Sequence, residues 1–485
     1  MSHTRPLRKI GCALGTCIAL GCQTGADVSP EGSGEATAGF VAEPIIAAQV
    51  ASAETVAALL DGETFEQVEA RMSAEKPAIV EAQAALLAAR YDMSDQPSNS
   101  SMTRGKPVQQ GVRVRLADGL TWEQLAQLTP EQIKAQDLFP RGFMPLPHPN
   151  HPEGGMLFPK FHIDETLGQT GRDLERFDLD YDLPDHLLPE FPPAIFLSTR
   201  PDAGDVSQGE LVTTHNYYRL FKDLLNPKQL DGLRLLVTPF AQQQFNLTDD
   251  RRSHDPSLGV ACLDCHVNGH TNAATHLVGD IRPQELRNRI DTPPLRGLNI
   301  QRSFGSQRAL TSVEDFTEFE QRAAYFDGDI EKAALKGVNI LDRGSEVHHM
   351  AEMEKLFDFP PTEKLDPFGK LNSLANEQEL RGEALFFGKA RCGDCHSGAF
   401  FTDNSMHDLG LQRFFEARME GGMIADGFDG PIKTFTLRGI KESPPYLHDG
   451  RLLTLADTVE FFNLVLALSL TAQEKQDLVA YMLAL

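Results

Sequence analysis

Long hydrophobic runs are nearly absent from this chain of 485 residues, and beyond its first segment no stretch reaches the apolar length of a membrane-spanning helix. Basic charge is also scarce: 45 Lys and Arg face 69 Asp and Glu, a formal charge of −24. Binding a phosphate backbone releases counterions only where cations cluster, so nucleic acid is excluded as a partner. A basic protein would suit this surface better. Cysteine is sparse too, seven in the whole chain, which rules out the small cysteine-dense scaffold that disulfides hold together.

The length allows two to four domains and cores large enough to enclose a bulky apolar group. Arg5, Arg8 and Lys9 followed by the apolar Ile10 to Leu20 read as an export signal, residues 1–21. Gly21-Cys22 resembles a bacterial lipoprotein cleavage site. The expectation is therefore a protein of the periplasm or cell envelope, attached to membrane at most by a lipid on Cys22. Residues 22–111 read as a helical and linker region: Val41 to Tyr91 is Ala- and Glu-rich with helical periodicity, and Met93 to Gly111 is rich in Ser, Pro, Gln and Gly. Residues 112–225 form an N-terminal extension of unknown fold. Its acidic run, Asp178, Asp180, Asp182 and Asp185, lacks the Gly and Glu spacing of a calcium loop and reads as a solvated surface.

Four cysteines remain once Cys12, Cys17 and Cys22 are set aside, and they form two C-x-x-C-H motifs: Cys262-Leu263-Asp264-Cys265-His266 and Cys392-Gly393-Asp394-Cys395-His396. Positions i, i+3 and i+4 share a helix face. Two thiols placed that way can add to the two vinyl groups of a haem while the histidine ligates the iron. A shared zinc site would join pairs 127 residues apart (392 − 265) and leave both histidines unexplained. Thioredoxin-like pairs belong beside a βαβ pattern, and none is visible here.

The same cues surround each motif in the same order. Upstream, Leu230, Gly232 and Leu235 are matched by Leu380, Gly382 and Leu385. Downstream, Thr292-Pro293-Pro294-Leu295-Arg296-Gly297 is echoed by Thr434-Phe435-Thr436-Leu437-Arg438-Gly439. Arg308-Ala309-Leu310-Thr311 is then echoed by Arg451-Leu452-Leu453-Thr454. The expected fold is mainly α: two tandem cytochrome c-like haem domains, 226–375 and 376–485, behind the extension. Thr471 and Glu474 form a capping-box pair that opens a closing helix.

Residues Glu379 to Leu485 resemble the C-terminal domain of bacterial di-haem cytochrome c peroxidases and MauG-type enzymes. The likeness lies in ELRGEALFFGKARCGDCHSGAFFTDN, then MHDLGL, then TLRGIKESPPYLHDGRLLTL. The first module matches more loosely, and residues 23–225 show no match. The resemblance implies two covalently bound haems c, with hydrogen peroxide as substrate and a small cytochrome c or cupredoxin as electron donor. His266 would be the proximal ligand of the haem that meets peroxide, and His396 that of a relay haem. Gly305 stands where the family carries a tryptophan between the haems, and Trp122 lies far upstream. Relatives place a Met or Tyr ligand near Glu460-Phe461-Phe462-Asn463, but phenylalanine cannot ligate iron, so Met406, Met419 and Met423 become the candidates for the second haem. His270 and His276 are close enough in sequence to reach the first haem, with His276 preferred as its reversible ligand. Glu318 and Glu320 are nearest to the family's catalytic glutamate, Glu320 being the choice, with His348 and His349 as further options. Asp291 stands near a position that helps hold calcium in relatives.

Three functions compete. A peroxide reductase needs one open or switchable iron and a one-electron donor. A MauG-like enzyme would oxidise residues of a protein partner, and an electron carrier would keep both irons saturated.

Overall fold

The computed structural model describes residues 65–149, 156–174, 182–239, 261–277, 289–320, 344–416, 419–420, 423–424 and 430–485, all within a unit running from Ala53 to Leu485. The export signal, Cys22, Asp178 and Asp180 lie outside the described residues.

The chain is mainly helical, with only short strands. The principal helices are α1 (Phe65–Arg90), α2 (Lys160–Thr170), α3 (Pro227–Leu236), α4 (Val313–Phe319), α5 (Gly344–Glu354), α6 (Glu377–Phe386), α7 (Leu455–Val465) and α8 (Ala472–Met482). Among the described residues no helix is long and apolar enough to cross a membrane. The start of α8 is set as expected, because Thr471 Oγ1 accepts from Glu474 N–H at 3.2 Å while Thr471 N–H donates to the Glu474 carboxylate at 2.7 Å.

The internal repeat is visible as geometry. Helices α3 and α6 each begin at an asparagine cap, Asn226 or Asn376, locked reciprocally to Gln229 or Glu379. Each carries the glycine of the L-x-G-x-x-L pattern where a second helix crosses it. A Cβ on Gly232 would stand 1.9 Å from the His349 carbonyl oxygen of α5, and one on Gly382 would stand 2.0 Å from that of Asp477 on α8. Only a residue without a side chain lets these backbones touch. Beside each glycine an ion pair spans the crossing with its charges exchanged: Asp231 with His349 at 2.8 Å, and Arg381 with Asp477 at 2.8 Å.

Each motif has its own hydrophobic core. One gathers Leu233, Leu236, Leu263, Phe304, Phe319, Met350, Met353 and Phe357 around Cys262. The other gathers Phe386, Phe401, Tyr446, Phe461, Leu478 and Tyr481 around Cys392. The extension is shared between them: Ile195 to Leu225 enters the first core, and Leu87 to Leu188 enters the second. Phe143 meets Phe461 edge-on at 5.3 Å, and both Arg113 and Val114 N–H donate to Asp457 of α7, at 2.7 and 2.9 Å.

Two sequence expectations are corrected here. The stretch Met93–Gly111 is a pinned hairpin, not a linker. Strands Pro97–Ser101 and Pro107–Gln109 pair, Met102 is buried, and Arg104 and Lys106 reach the acids Asp205 and Asp185. Composition alone did not reveal those distant partners. The second correction is one of register. Backbone bridges join Phe304 to Leu310 and Tyr446 to Leu452, and Ser312 and Thr454 cap α4 and α7. These pairs are all 142 residues apart (452 − 310), so Arg308 matches Gly450 rather than Arg451. Positive φ confirms it: 76° at Gly305 against 66° at Leu447, and 54° at Arg308 against 71° at Gly450. The counterpart of His448 is therefore Ser306, not Gly305.

The same offset relates the contacts between the halves. Asp291 N–H donates to the His448 carbonyl at 2.7 Å, and its counterpart Lys433 N–H donates to the Ser306 carbonyl at 2.8 Å. Equivalent residues exchange equivalent bonds, which is what a pseudo-twofold axis between two copies of one ancestral unit produces.

Candidate functional site

Both motifs adopt the turn that their spacing requires. His266 N–H donates to the Cys262 carbonyl at 3.0 Å, and His396 N–H to the Cys392 carbonyl at 2.8 Å, so two thiols and an imidazole share one face in each. All four cysteines are free thiols rather than disulfides. Burial pushes every one of these thiols up, Cys392 to about 12, so none is poised as a reactive thiolate. Among the described residues the one grouping of three or more metal-type side chains within 4.8 Å is Glu314, His348 and Glu352, so the cysteines do not converge on a shared zinc ion.

The motifs fit a covalently held haem on three counts. Cys262, His266, His276, Cys392 and His396 are deeply enclosed by protein yet keep accessible surface, as groups lining an internal hollow do. His396 Nδ1 lies 2.9 Å from the Phe401 carbonyl. A carbonyl only accepts, so Nδ1 carries the proton and Nε2 keeps the lone pair that iron needs. Finally, the Pro293 carbonyl acts on His266 and the Phe435 carbonyl on His396, positions related by the 142-residue offset.

The remaining predicted residues separate. His276 lies on the strand Thr275–His276, paired with Ile290–Asp291 just before Pro293. Burial holds its imidazole down at about 4, so it stays neutral. Its counterpart is His407, which pairs with Ile432 as His276 pairs with Ile290. Sequence reasoning missed His407, although the His in MHDLGL was there to be aligned with Thr275-His276-Leu277. Each half thus places a second histidine on the hairpin that leads into the carbonyl behind its C-x-x-C-H histidine. That placement lends no support to His276 as a sixth ligand. His270 is committed elsewhere: its Nε2 donates to the Glu442 carbonyl at 2.8 Å, while the Glu442 carboxylate holds Arg296 at 2.9 Å, both charges nearly fully buried.

Of the acid–base candidates, His349 belongs to the helix crossing, and His348 joins Glu314, Glu352 and Lys355 in a half-exposed ion-pair network. Glu320 caps the end of α4, and its charge acts on both Cys262 and Cys265, which puts it beside the first motif, unlike either histidine. No sequence motif pointed to Glu354. It is 3% exposed on α5, near Cys262, and burial raises its carboxyl to about 7. Thr317 Oγ1 lies 2.8 Å from its carboxylate and 2.8 Å from the Val313 carbonyl. Thr317 Oγ1 directs its one proton toward both acceptors, which favours the carboxylate while burial favours the acid. Aligning α5 with α8 through His349 and Asp477 would have revealed it, since the counterpart of Glu354 is the apolar Met482.

In the second half, Met406 is half-buried on the strand Met406–His407, and the structure describes Met419 and Met423 by their backbones alone. Asp182 is buried and pairs with Arg289, so it is not a solvated surface acid, whereas Asp185 pairs with Lys106 and keeps a largely solvated side chain. Asp291 is half-buried, and desolvation raises its carboxyl well above the carboxylate range while the Arg289 charge lowers it.

No protein-family model matches this chain. It is 31% identical to cytochrome-c peroxidase IdrP1 of Pseudomonas sp. (strain SCT) over 159 residues, which cover 24% of this chain and 42% of that protein. It is 37% identical to the methylamine utilization protein MauG of Methylorubrum extorquens over 91 residues, covering 17% and 24%. The chain thus spans less than half the length of the curated relatives it matches. The diheme peroxidase BthA of Burkholderia thailandensis superposes at a TM-score of 0.35 with 16% identity, covering 53% of this chain and 85% of that one. In its duplicated C-x-x-C-H turns and over these matched stretches, the chain is similar to the di-haem cytochrome c peroxidases and to MauG.

Proposed function

We propose that the protein is a di-haem c-type oxidoreductase of the cell envelope that reduces hydrogen peroxide with electrons from a small redox protein. Its tandem haem domains, 226–375 and 376–485, would stand on an extension that completes both cores, with a lipid on Cys22 as anchor. The observation that carries the reading is an asymmetry between two related sites. Cys265 is 6% exposed among buried neighbours, whereas its counterpart Cys395 is far less enclosed and flanked by the exposed Asp394 and Phe400. A sheltered site suits chemistry that must exclude water, and an exposed one suits electron entry.

Bound haem supplies an iron that can take peroxide and exchange single electrons. The chain contributes the rest. His266 and His396 would ligate the irons, and the Phe401 carbonyl sets the tautomer of His396. Reduction of peroxide to two waters consumes two electrons and two protons, so the sheltered site needs a proton carrier. Glu320, beside Cys262 and Cys265, would fill that role, with Glu354 as a nearby reserve.

The test is the visible and electron paramagnetic resonance spectrum of oxidised and half-reduced holoprotein, before and after peroxide. The expected result is a peroxide-sensitive iron and steady oxidation of reduced cytochrome c. Spectra that stay six-coordinate and unresponsive in every redox state would overturn the enzyme reading. The 37% identity to MauG favours a second reading, oxidation of a protein partner. A lasting oxidised state without donor turnover would select it.

A further inference from the structure

Where α4 packs on α5, three half-buried side chains with metal-type donors converge. Glu314 stands in the first turn of α4, while His348 and Glu352 stand four residues apart on α5 and so share one face of that helix. The donor atoms of this set, one imidazole nitrogen and two carboxylate oxygens, lie within 4.8 Å of one another. Around a tetrahedral zinc ion, with each donor about 2.0–2.2 Å from the metal, donors stand about 3–3.5 Å apart, a difference that rotation of two glutamate side chains closes. The frame beneath them is fixed independently, because Thr317 Oγ1 on α4 lies 2.8 Å from the Glu354 carboxylate on α5.

Two further observations separate this cluster from an ordinary surface ion pair. The first is charge. Helix α4 carries Glu314, Asp315 and Glu318 and ends at Glu320, and α5 carries Glu346, Glu352 and Glu354, with no Lys or Arg in either helix. The cation comes from just past α5, where Lys355 Nζ lies 2.8 Å from the Glu314 carboxylate and 3.5 Å from that of Glu352. One ammonium between two carboxylates leaves a negative charge over, at a point already shaped to hold a cation. The second observation is the duplication. In the sister half Ala456 answers Glu314 by the 142-residue offset, and Gln476 and Ala480 answer His348 and Glu352 by the alignment of His349 with Asp477. That half packs α7 on α8 with none of the three donors, so the crossing itself does not require them.

We propose that Glu314, His348 and Glu352 form a binding site for a zinc-class divalent cation, which displaces the Lys355 ammonium and ties α4 to α5. One imidazole nitrogen and two carboxylate oxygens are donors that zinc accepts, with water completing the tetrahedron. The imidazole selects against calcium and magnesium, which take oxygen ligands. Partial exposure of all three side chains gives the ion a path from solvent. The consequence reaches the first motif, because α4 ends at Glu320, whose charge acts on Cys262 and Cys265. A metal that clamps the start of α4 holds in place the helix whose far end stands beside those thiols.

The experiment uses full-length holoprotein washed with chelator and zinc chloride as the probe, with bound zinc counted by equilibrium dialysis and the melting temperature read alongside. Wild type should bind one zinc ion that His348→Ala and Glu314→Gln each weaken roughly tenfold or more. Glu346→Gln, which changes an exposed acid of the same helix, should leave that affinity unchanged. Lys355→Met removes the competing ammonium and should tighten the site roughly two- to fivefold. Zinc should raise the melting temperature of wild type but not of His348→Ala, because a ligand held only by the folded state stabilises it. An unaltered haem absorbance in each variant shows that the fold is kept. Equal zinc affinity in wild type and both ligand variants, or displacement of zinc by a roughly tenfold excess of calcium, would mean plain adhesion to an acidic surface and overturn the site. So would the absence of bound zinc at roughly 100 μM free metal. A Lys355→Met variant that binds no tighter would overturn the exchange of cations. None of these outcomes touches the peroxide reading, which rests on other residues.

Discussion

Glu320 and Glu354 are two carboxyl groups near one motif with different surroundings, and that difference assigns them different work. Glu320→Gln keeps shape and removes the proton carrier, so peroxide turnover should fall roughly 10²–10⁴-fold while the visible spectrum of the resting protein is retained. Equal turnover in the variant would remove Glu320 from the mechanism. Glu354 makes a prediction about stability. Its carboxyl rises from 4.5 to about 7 in the folded protein, chiefly through burial, with Thr317 pulling the other way. The folded state therefore binds more protons than the unfolded state between those values, and stability declines as pH rises through the window. Glu354→Gln abolishes that decline. Urea unfolding should find the variant more stable above pH 7, by at most on the order of 3 kcal/mol, and equal to wild type below about pH 4.5.

At the level of elements, the two helix crossings depend on glycine. Alanine is the better helix former by about 1 kcal/mol, but at Gly232 or Gly382 its methyl would press within 2 Å of a carbonyl oxygen. Either substitution should cost about 1–3 kcal/mol by overpacking. Gly168 in α2 faces open space, so Gly168→Ala should be neutral or stabilising by up to about 1 kcal/mol. Thermal unfolding of the three variants checks both signs, and a stabilised Gly382→Ala would refute the close-contact argument. The crossing glycines were legible in the sequence because L-x-G-x-x-L recurs. The hairpin at Met93–Gly111 was not, because Arg104 is held by Asp205, 101 positions away, and Lys106 by Asp185, 79 positions away.

At the scale of the whole molecule, the halves are joined by a buried charge pair as well as by the reciprocal backbone bonds. Glu442 accepts from Arg296 Nη1 at 2.9 Å and from Thr103 N–H at 2.9 Å, linking second half, first half and hairpin. Removing one partner strands the other charge, so Glu442→Gln should cost about 3–5 kcal/mol. Replacing both, as Arg296→Met with Glu442→Leu, should cost less than the two single changes added together. Additive losses in denaturant titrations would show that the pair is not coupled.

The geometry of the two motifs was determined by sequence alone: C-x-x-C-H is local, and one turn of helix places its two thiols and imidazole on one face. So were the duplication and the capped helices, whose cues lie within a few residues of one another. Tertiary structure decided what no short window contains. It divided the extension between two cores, shifted the loop register by one residue, and placed a buried glutamate where the sister half has methionine. It also enclosed Cys265 more deeply than its counterpart Cys395. Those outcomes depend on which distant surfaces exclude water together, and burial of that kind is a property of the packed chain, not of any segment.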